Sequence, residues 1–183
     1  MNMEQNATQR NMWNAAGKAG LILGLTSTAF MYASQLISQS ELNAIISSIA
    51  NGIIWLAKFI GCIYLMRFFM KKYASLNDGT TNSETMKFGM AVSLLSALVY
   101  AAFTLANVTL ISPDLYAQQI DQIMQTYAQT MDSNTLAQMD KFMDKMPQIT
   151  FITNLIYCSL YGMVLSFILS RNIPSKNPFE SNN

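Results

Sequence analysis

The chain has 183 residues, of which 51% are hydrophobic and only 11% charged, with a formal net charge of +1. A charged share less than half of the ~25% found in ordinary soluble domains points to lipid as the surrounding medium. With so small a net charge and no basic tract, a nucleic-acid partner is excluded. The absence of histidine removes the commonest metal ligand and general base, and the two cysteines, Cys62 and Cys158, sit inside apolar runs rather than in a spaced pair.

In chain order, residues 1–16 form a polar N-terminal segment, followed by a first apolar run from about Ala19 to Gln39, "AGLILGLTSTAFMYASQLISQ". Arg10 and Lys18 precede it, as in a signal peptide. The interruption by Thr26, Ser27 and Thr28, the length of the run and the lack of a small-residue cleavage site instead favour an uncleaved membrane helix. A short "SELN" turn leads to a second run, about Ile45 to Met66, with Lys58 inside it. The loop "KKYASLNDGTTNSETMK" follows, turn-rich and with a tight turn expected at Asp78-Gly79. The third run extends from about Phe88 to Ile111 and the fourth from about Gln148 to Ser170. Each is near the ~20 residues that cross the hydrocarbon as a helix, and unpaired backbone groups are not tolerated in lipid. The expected fold is all-α: an integral membrane bundle of four transmembrane helices.

Between the third and fourth runs lies a patterned segment, 112–147. Ser112, Pro113 and Asp114 have the order of an N-cap, a first helical residue and a first-turn acid. Tyr116, Ile120, Ile123, Met124, Tyr127 and Met131 then recur at helical spacing. Ser133 and Asn134 can cap a second helix carrying Leu136, Met139, Phe142, Met143 and Met146, and Pro147 marks the entry to the fourth run. Two amphipathic helices are expected, either as a connector resting on lipid or on the bundle, or as a lid over a binding site. The tail "RNIPSKNPFESNN" has two prolines and no apolar period, so 172–183 reads as a flexible end outside the 17–171 transmembrane domain.

Basic residues fix the expected orientation. Arg10, Lys18, Arg67, Lys71, Lys72, Lys87, Arg171 and Lys176 fall on one side, eight of the eleven in the chain. The opposite side holds Lys141 and Lys145 against six acids, Glu41, Asp114, Asp121, Asp132, Asp140 and Asp144. The positive-inside rule then puts both termini in the cytoplasm and 112–147 outside.

Four spans, the "MKFGMAVSLL" that follows a basic loop, the "ISPDLYAQQI" opening of the long amphipathic segment, a proline before the last span and a "KNPF" tail together resemble DUF4199. That family comprises small membrane proteins found mainly in Gram-negative Bacteroidota. The resemblance runs from Gly17 to Phe179 and implies a bacterial inner-membrane location with this topology. As the family has no assigned function, it implies no catalytic or binding residue.

The residues themselves single out Lys58. On the second helix Ser47, Ser48, Asn51, Gly52, Trp55, Lys58, Gly61 and Cys62 form a stripe at three- and four-residue spacing. Matching stripes are Gly17, Gly20, Gly24, Thr28 and Gln35 on the first helix, and Ser93, Ser96, Ala97, Tyr100, Thr104 and Asn107 on the third. The fourth offers Asn154, Tyr157, Cys158, Tyr161 and Gly162. Small and polar faces of this kind suit helix–helix contact, so a partly polar bundle interior is expected, with Lys58, Asn51, Tyr100, Asn107, Asn154 and Tyr157 as its polar cluster. A lysine at mid-membrane costs about 2.5–3.5 kcal/mol on insertion scales, and the four runs contain no acid to pair with it. Lys58 either snorkels toward the cytoplasmic leaflet or points into a polar cavity or toward a partner.

No catalytic constellation, metal-ligand spacing or phosphate loop is present, so an intramembrane enzyme is the weakest expectation and no cofactor is implied. An accessory or scaffold subunit, holding a membrane-protein partner or a second copy of itself, ranks first by elimination. The alternative is a small oligomeric transporter or channel with a polar-lined interior.

Overall fold

The computed structural model describes residues 2–40, 43–77, 80–128 and 130–173. The tip of the "SELN" turn, the Asp78-Gly79 turn and the tail beyond Ile173 lie outside the described residues. Among those described the fold is all-helical: α1 (Asn2–Gln39), α2 (Ala44–Leu76), α3 (Asn82–Ala106), α4 (Pro113–Ala128), α5 (Ser133–Met143) and α6 (Met146–Arg171). A π-helical turn, Asn107–Ile111, prolongs α3. Four helices, α1, α2, α3 with its π turn, and α6, are long and apolar enough to cross a membrane.

Local chemistry explains the boundaries. The Asn43 side chain accepts from the Ile45 N–H at 3.1 Å to open α2. Thr81 and Glu84 form a reciprocal capping box that starts α3 six residues before its apolar run. Proline opens α4, as the sequence leads one to expect, and Pro147 lies in the first turn of α6. The start of α5 differs from expectation: Asp132, not Ser133 or Asn134, is the N-cap and accepts from the Thr135 N–H at 2.6 Å. Hydrogen bonds from the Thr135 side chain first and its backbone N–H second hold the Asp132 carboxyl below its ordinary pKa. A carboxylate is the stronger acceptor and also favours the positive end of the helix dipole. At 38 residues α1 runs unbroken across residue 16, and Met12, Ala15 and Ala16 pack with the core.

The spans run up and down, with α3 in the centre between α1 and α6, while α2 leans on α1 and barely touches α6. Small residues set this order. A Cβ on Gly20 would lie 2.8 Å from Leu95 Cβ, and one on Gly24 2.7 Å from Val99 Cβ, so the backbones of α1 and α3 meet closely. Gly89 and Gly162 play the same part between α3 and α6, where added Cβ atoms would lie 2.9 Å from Ser166 Cβ and 2.6 Å from Ser93 Cβ. The hydroxyls of Ser93 and Ser166 donate to Gly89 O and Gly162 O at 2.8 and 2.6 Å, which satisfies them at this dry contact. The glycines of the other stripes differ: a Cβ at Gly17, Gly52 or Gly61 would meet nothing within 4 Å.

The main core cluster lies at the end of the bundle that carries the termini and the α2–α3 loop. Ala16, Ala19, Met66, Met70, Phe88 and Val92 are buried there with Leu169 and Ile173, and Tyr73 stacks on Phe88 at 4.2 Å with ring planes 2° apart. Toward the opposite end α2 parts from α6 and the interior opens.

Candidate binding site around Lys58

The opening is a cavity of about 440 Å³ walled by α1, α2, the end of α3 and the first turns of α4. Its polar lining comes from all four helices. On α1, Ser34 donates to Asn51 Oδ1 of α2 at 2.6 Å, and Asn51 Nδ2 donates to Ser38 Oγ at 3.2 Å. A second chain runs from Asn107 Nδ2 to Gln35 Oε1 at 2.9 Å, and from Gln35 Nε2 to Ser112 Oγ at 3.3 Å. Ser112 thus serves the cavity with its hydroxyl as well as preceding α4. Asn107 Oδ1 is buried without a partner among the described residues, an acceptor left for a ligand or a water. The π turn begins at Asn107, and its Ser112 N–H···O=C Asn107 bond measures 2.8 Å. This wider turn sits where α3 meets the cavity, as such turns often do at binding sites.

Lys58 lies at the inner end of this cavity. Its Nζ is 4.2 Å from the centre of the Tyr100 ring, and among the described lining residues there is no carboxylate. A cation over an aromatic face recovers about 0.5–2 kcal/mol, less than the ~2.5–3.5 kcal/mol that a mid-span lysine costs. The cavity has the space and the polar walls to admit water, which would offset the rest.

Lys58 and Trp55 also line a second cavity of about 210 Å³, a cleft between α2 and α6. Its walls are mainly apolar or small: Phe59, Cys62 and Met66 from α2, Ala97 from α3, Gly162 and Leu165 from α6. Phe59 and Tyr161 reach across it with ring centres 5.9 Å apart. Cys62 Sγ lies 3.4 Å from Ser27 Oγ, which tethers α2 to α1 at the foot of the cleft.

Of the six residues expected to form a polar cluster, Lys58, Asn51, Tyr100 and Asn107 meet around the larger cavity. Tyr157 lines the cleft with Lys58 but is 69% exposed, while Asn154 lines neither. The stripe drawn on α2 is shifted: Ser48, Gly52 and Trp55 are exposed, and the inward row is Ser47, Asn51, Ile54, Lys58 and Cys62. Sequence reasoning passed over Ser34, Ser38 and Gln119 as cavity residues, and placed Tyr116 only on the apolar face of α4. The first two were legible as polar neighbours of Gln35 in an otherwise apolar span. Tyr116 and Gln119 lie on α4, for which a lid over a binding site is one of the expected readings, although nothing in its period shows which residues reach the cavity. Burial, reinforced by Asp144, holds the Tyr116 hydroxyl above its ordinary pKa and so neutral, and it donates to Met143 O at 3.4 Å. Ile123 and Tyr127, counted on the apolar face of α4, are exposed to the medium.

No curated protein and no solved structure matches the chain. A family model described as a protein of unknown function, DUF4199, matches residues 18–171, which contain all four spans, the cavity and Lys58. The chain therefore belongs to the DUF4199 family.

Proposed function

We propose that this multi-pass protein is a membrane-embedded binding protein, not an enzyme, which admits the anionic part of a ligand to Lys58 through the larger cavity. The observation that carries this reading is the placement of Lys58: a cation at the end of an open polar cavity whose described lining contains amides and hydroxyls but no acid. The volume falls within the ~300–1,000 Å³ of small-molecule sites. In the bacterial inner membrane, with both termini cytoplasmic as the basic residues favour, the cavity opens to the outside. The packed core at the other end makes it a blind vestibule rather than a through-channel in this conformation.

The test is charge-selective thiol labelling from the outer face, in a variant lacking Cys62 and Cys158. Ser34→Cys should react with an impermeant anionic thiosulfonate faster than with its cationic counterpart, and Lys58→Met should remove the preference. Labelling at Asp121→Cys and not at Lys72→Cys fixes the orientation. A Ser34→Cys that is unreactive, or blind to charge, overturns the proposal. The accessory-subunit role does not require an open vestibule, so an unreactive Ser34→Cys together with a stoichiometric partner recovered from native membranes would favour that role.

A further inference from the structure

The two cavities are not separate features. They share two residues, Trp55 and Lys58, and they differ in character on either side of that junction. Above it, Ser34, Gln35, Asn51 and Asn107 offer hydrogen-bonding groups, and one of these, Asn107 Oδ1, still lacks a donor. Below it the lining is mainly apolar, with Phe59, Met66, Ala97 and Leu165 beside the small hydroxyls of Ser27, Ser93 and Ser96. The cleft lies between α2 and α6, two spans that touch only sparsely. With Phe59, Tyr157 and Tyr161 of its lining exposed, the cleft reaches the outer surface of the spans.

We infer that the ligand is an anionic single-chain amphiphile, with its head group at Lys58 in the vestibule and its chain in the α2–α6 cleft. This rests on the binding reading above and names its ligand class. A purely water-soluble anion would leave the cleft unused, and a wholly apolar molecule would leave Lys58 unanswered. An amphiphile answers both, because its polarity changes where that of the cavity changes. An apolar chain in the cleft also displaces lipid rather than water, so the chain contributes through packing and the head group through charge. Entry from the side of the membrane needs Phe59 and Tyr161 to part. Both are more exposed than buried side chains of the core and belong to helices with few mutual contacts.

The chain has two tryptophans, Trp13 and Trp55, so Trp13→Phe leaves a single fluorophore at the junction. In phosphatidylcholine vesicles containing this variant, bromoundecanoate should quench Trp55 saturably, and bromoundecanol should quench only to the level expected of surrounding lipid. Lys58→Met should weaken the saturable component on the order of tenfold or more, the factor for losing a hydrogen bond to a charged group, and Lys58→Arg should retain most of it. Cys158→Phe, which narrows the cleft, should abolish tight bromoundecanoate binding while butyrate, tested by its own shift of Trp55 emission, still binds. Equal saturable quenching by the alcohol, or quenching by bromoundecanoate that ignores Lys58→Met, overturns the inference. Lys58-dependent binding of butyrate with no gain from the longer chain overturns the amphiphile and leaves the vestibule reading standing. Failure of both anions overturns both.

Discussion

The two ends of this bundle pack differently. At the end carrying the termini, Met66, Met70, Phe88 and Val92 are almost completely buried and Tyr73 stacks on Phe88. At the other end Asn51, Lys58 and Asn107 surround open space. Apolar burial cannot account for the contrast, because lipid tails are as apolar as leucine and give helices no reason to associate. Close approach of backbones does account for it. Gly20, Gly24, Gly89 and Gly162 each face a neighbouring helix across a gap too small for a Cβ, and they join α1, α3 and α6. The glycines of α2, Gly52 and Gly61, face nothing. Held mainly by α1, α2 leaves room beside α6, and that room is part of the candidate site. A polar interior in a membrane bundle thus arises where the small-residue contacts run out.

The comparison is broken most severely by forcing the packed contacts apart. Gly89→Leu places a side chain against Ser166 and Met70 and should cost about 2–3 kcal/mol, measured by unfolding in mixed micelles as denaturing detergent is raised. At Gly61 the same substitution meets open space and should change stability by no more than about 0.5 kcal/mol. Equal losses at the two positions would show that the close contacts do not hold the bundle. On the open side, Asn51→Leu removes the bonds to Ser34 and Ser38. The expected loss is about 0.6–1.7 kcal/mol, the range of interhelical hydrogen bonds in membranes, with thiol reactivity at position 38 rising as α1 and α2 loosen. A loss as large as that at Gly89 would mean that polar bonds, not close packing, organise the bundle.

The smallest effect lies outside both halves, at the cap of α5. Asp132 has a lower pKa in the folded chain than in the unfolded one because it accepts from Thr135. Its contribution is therefore present above the ordinary pKa of 3.8 and is lost as the pH falls through the depressed folded value. Amide exchange at Thr135 and Leu136 should quicken at the acid end of that window, and Asp132→Ala should exchange quickly at every pH. Exchange that ignores both changes would remove Asp132 as the cap.

Four spans, two amphipathic helices between the third and fourth, and an unpaired lysine in the second follow from composition and periodicity, because a bilayer leaves a chain of this hydropathy few alternatives. The start of α4 at Pro113 is equally local, since it depends on the missing N–H of proline. What only the tertiary structure decided is which of the small and polar stripes are used. Gly20 and Gly61 look alike in the sequence, but one faces Leu95 and the other faces nothing. The inward row of α2 rotates to include Ile54 and to leave Trp55 at an edge, because the angle at which a helix leans on its neighbour is set by the neighbour's surface. The π turn at Asn107, the approach of α4 to the cavity and the meeting of two unlike cavities at Lys58 depend on groups up to 77 residues apart in the chain, such as Gln35 and Ser112. Periodicity within one helix carries no information about such meetings, since each depends on how helices are rotated and spaced against one another.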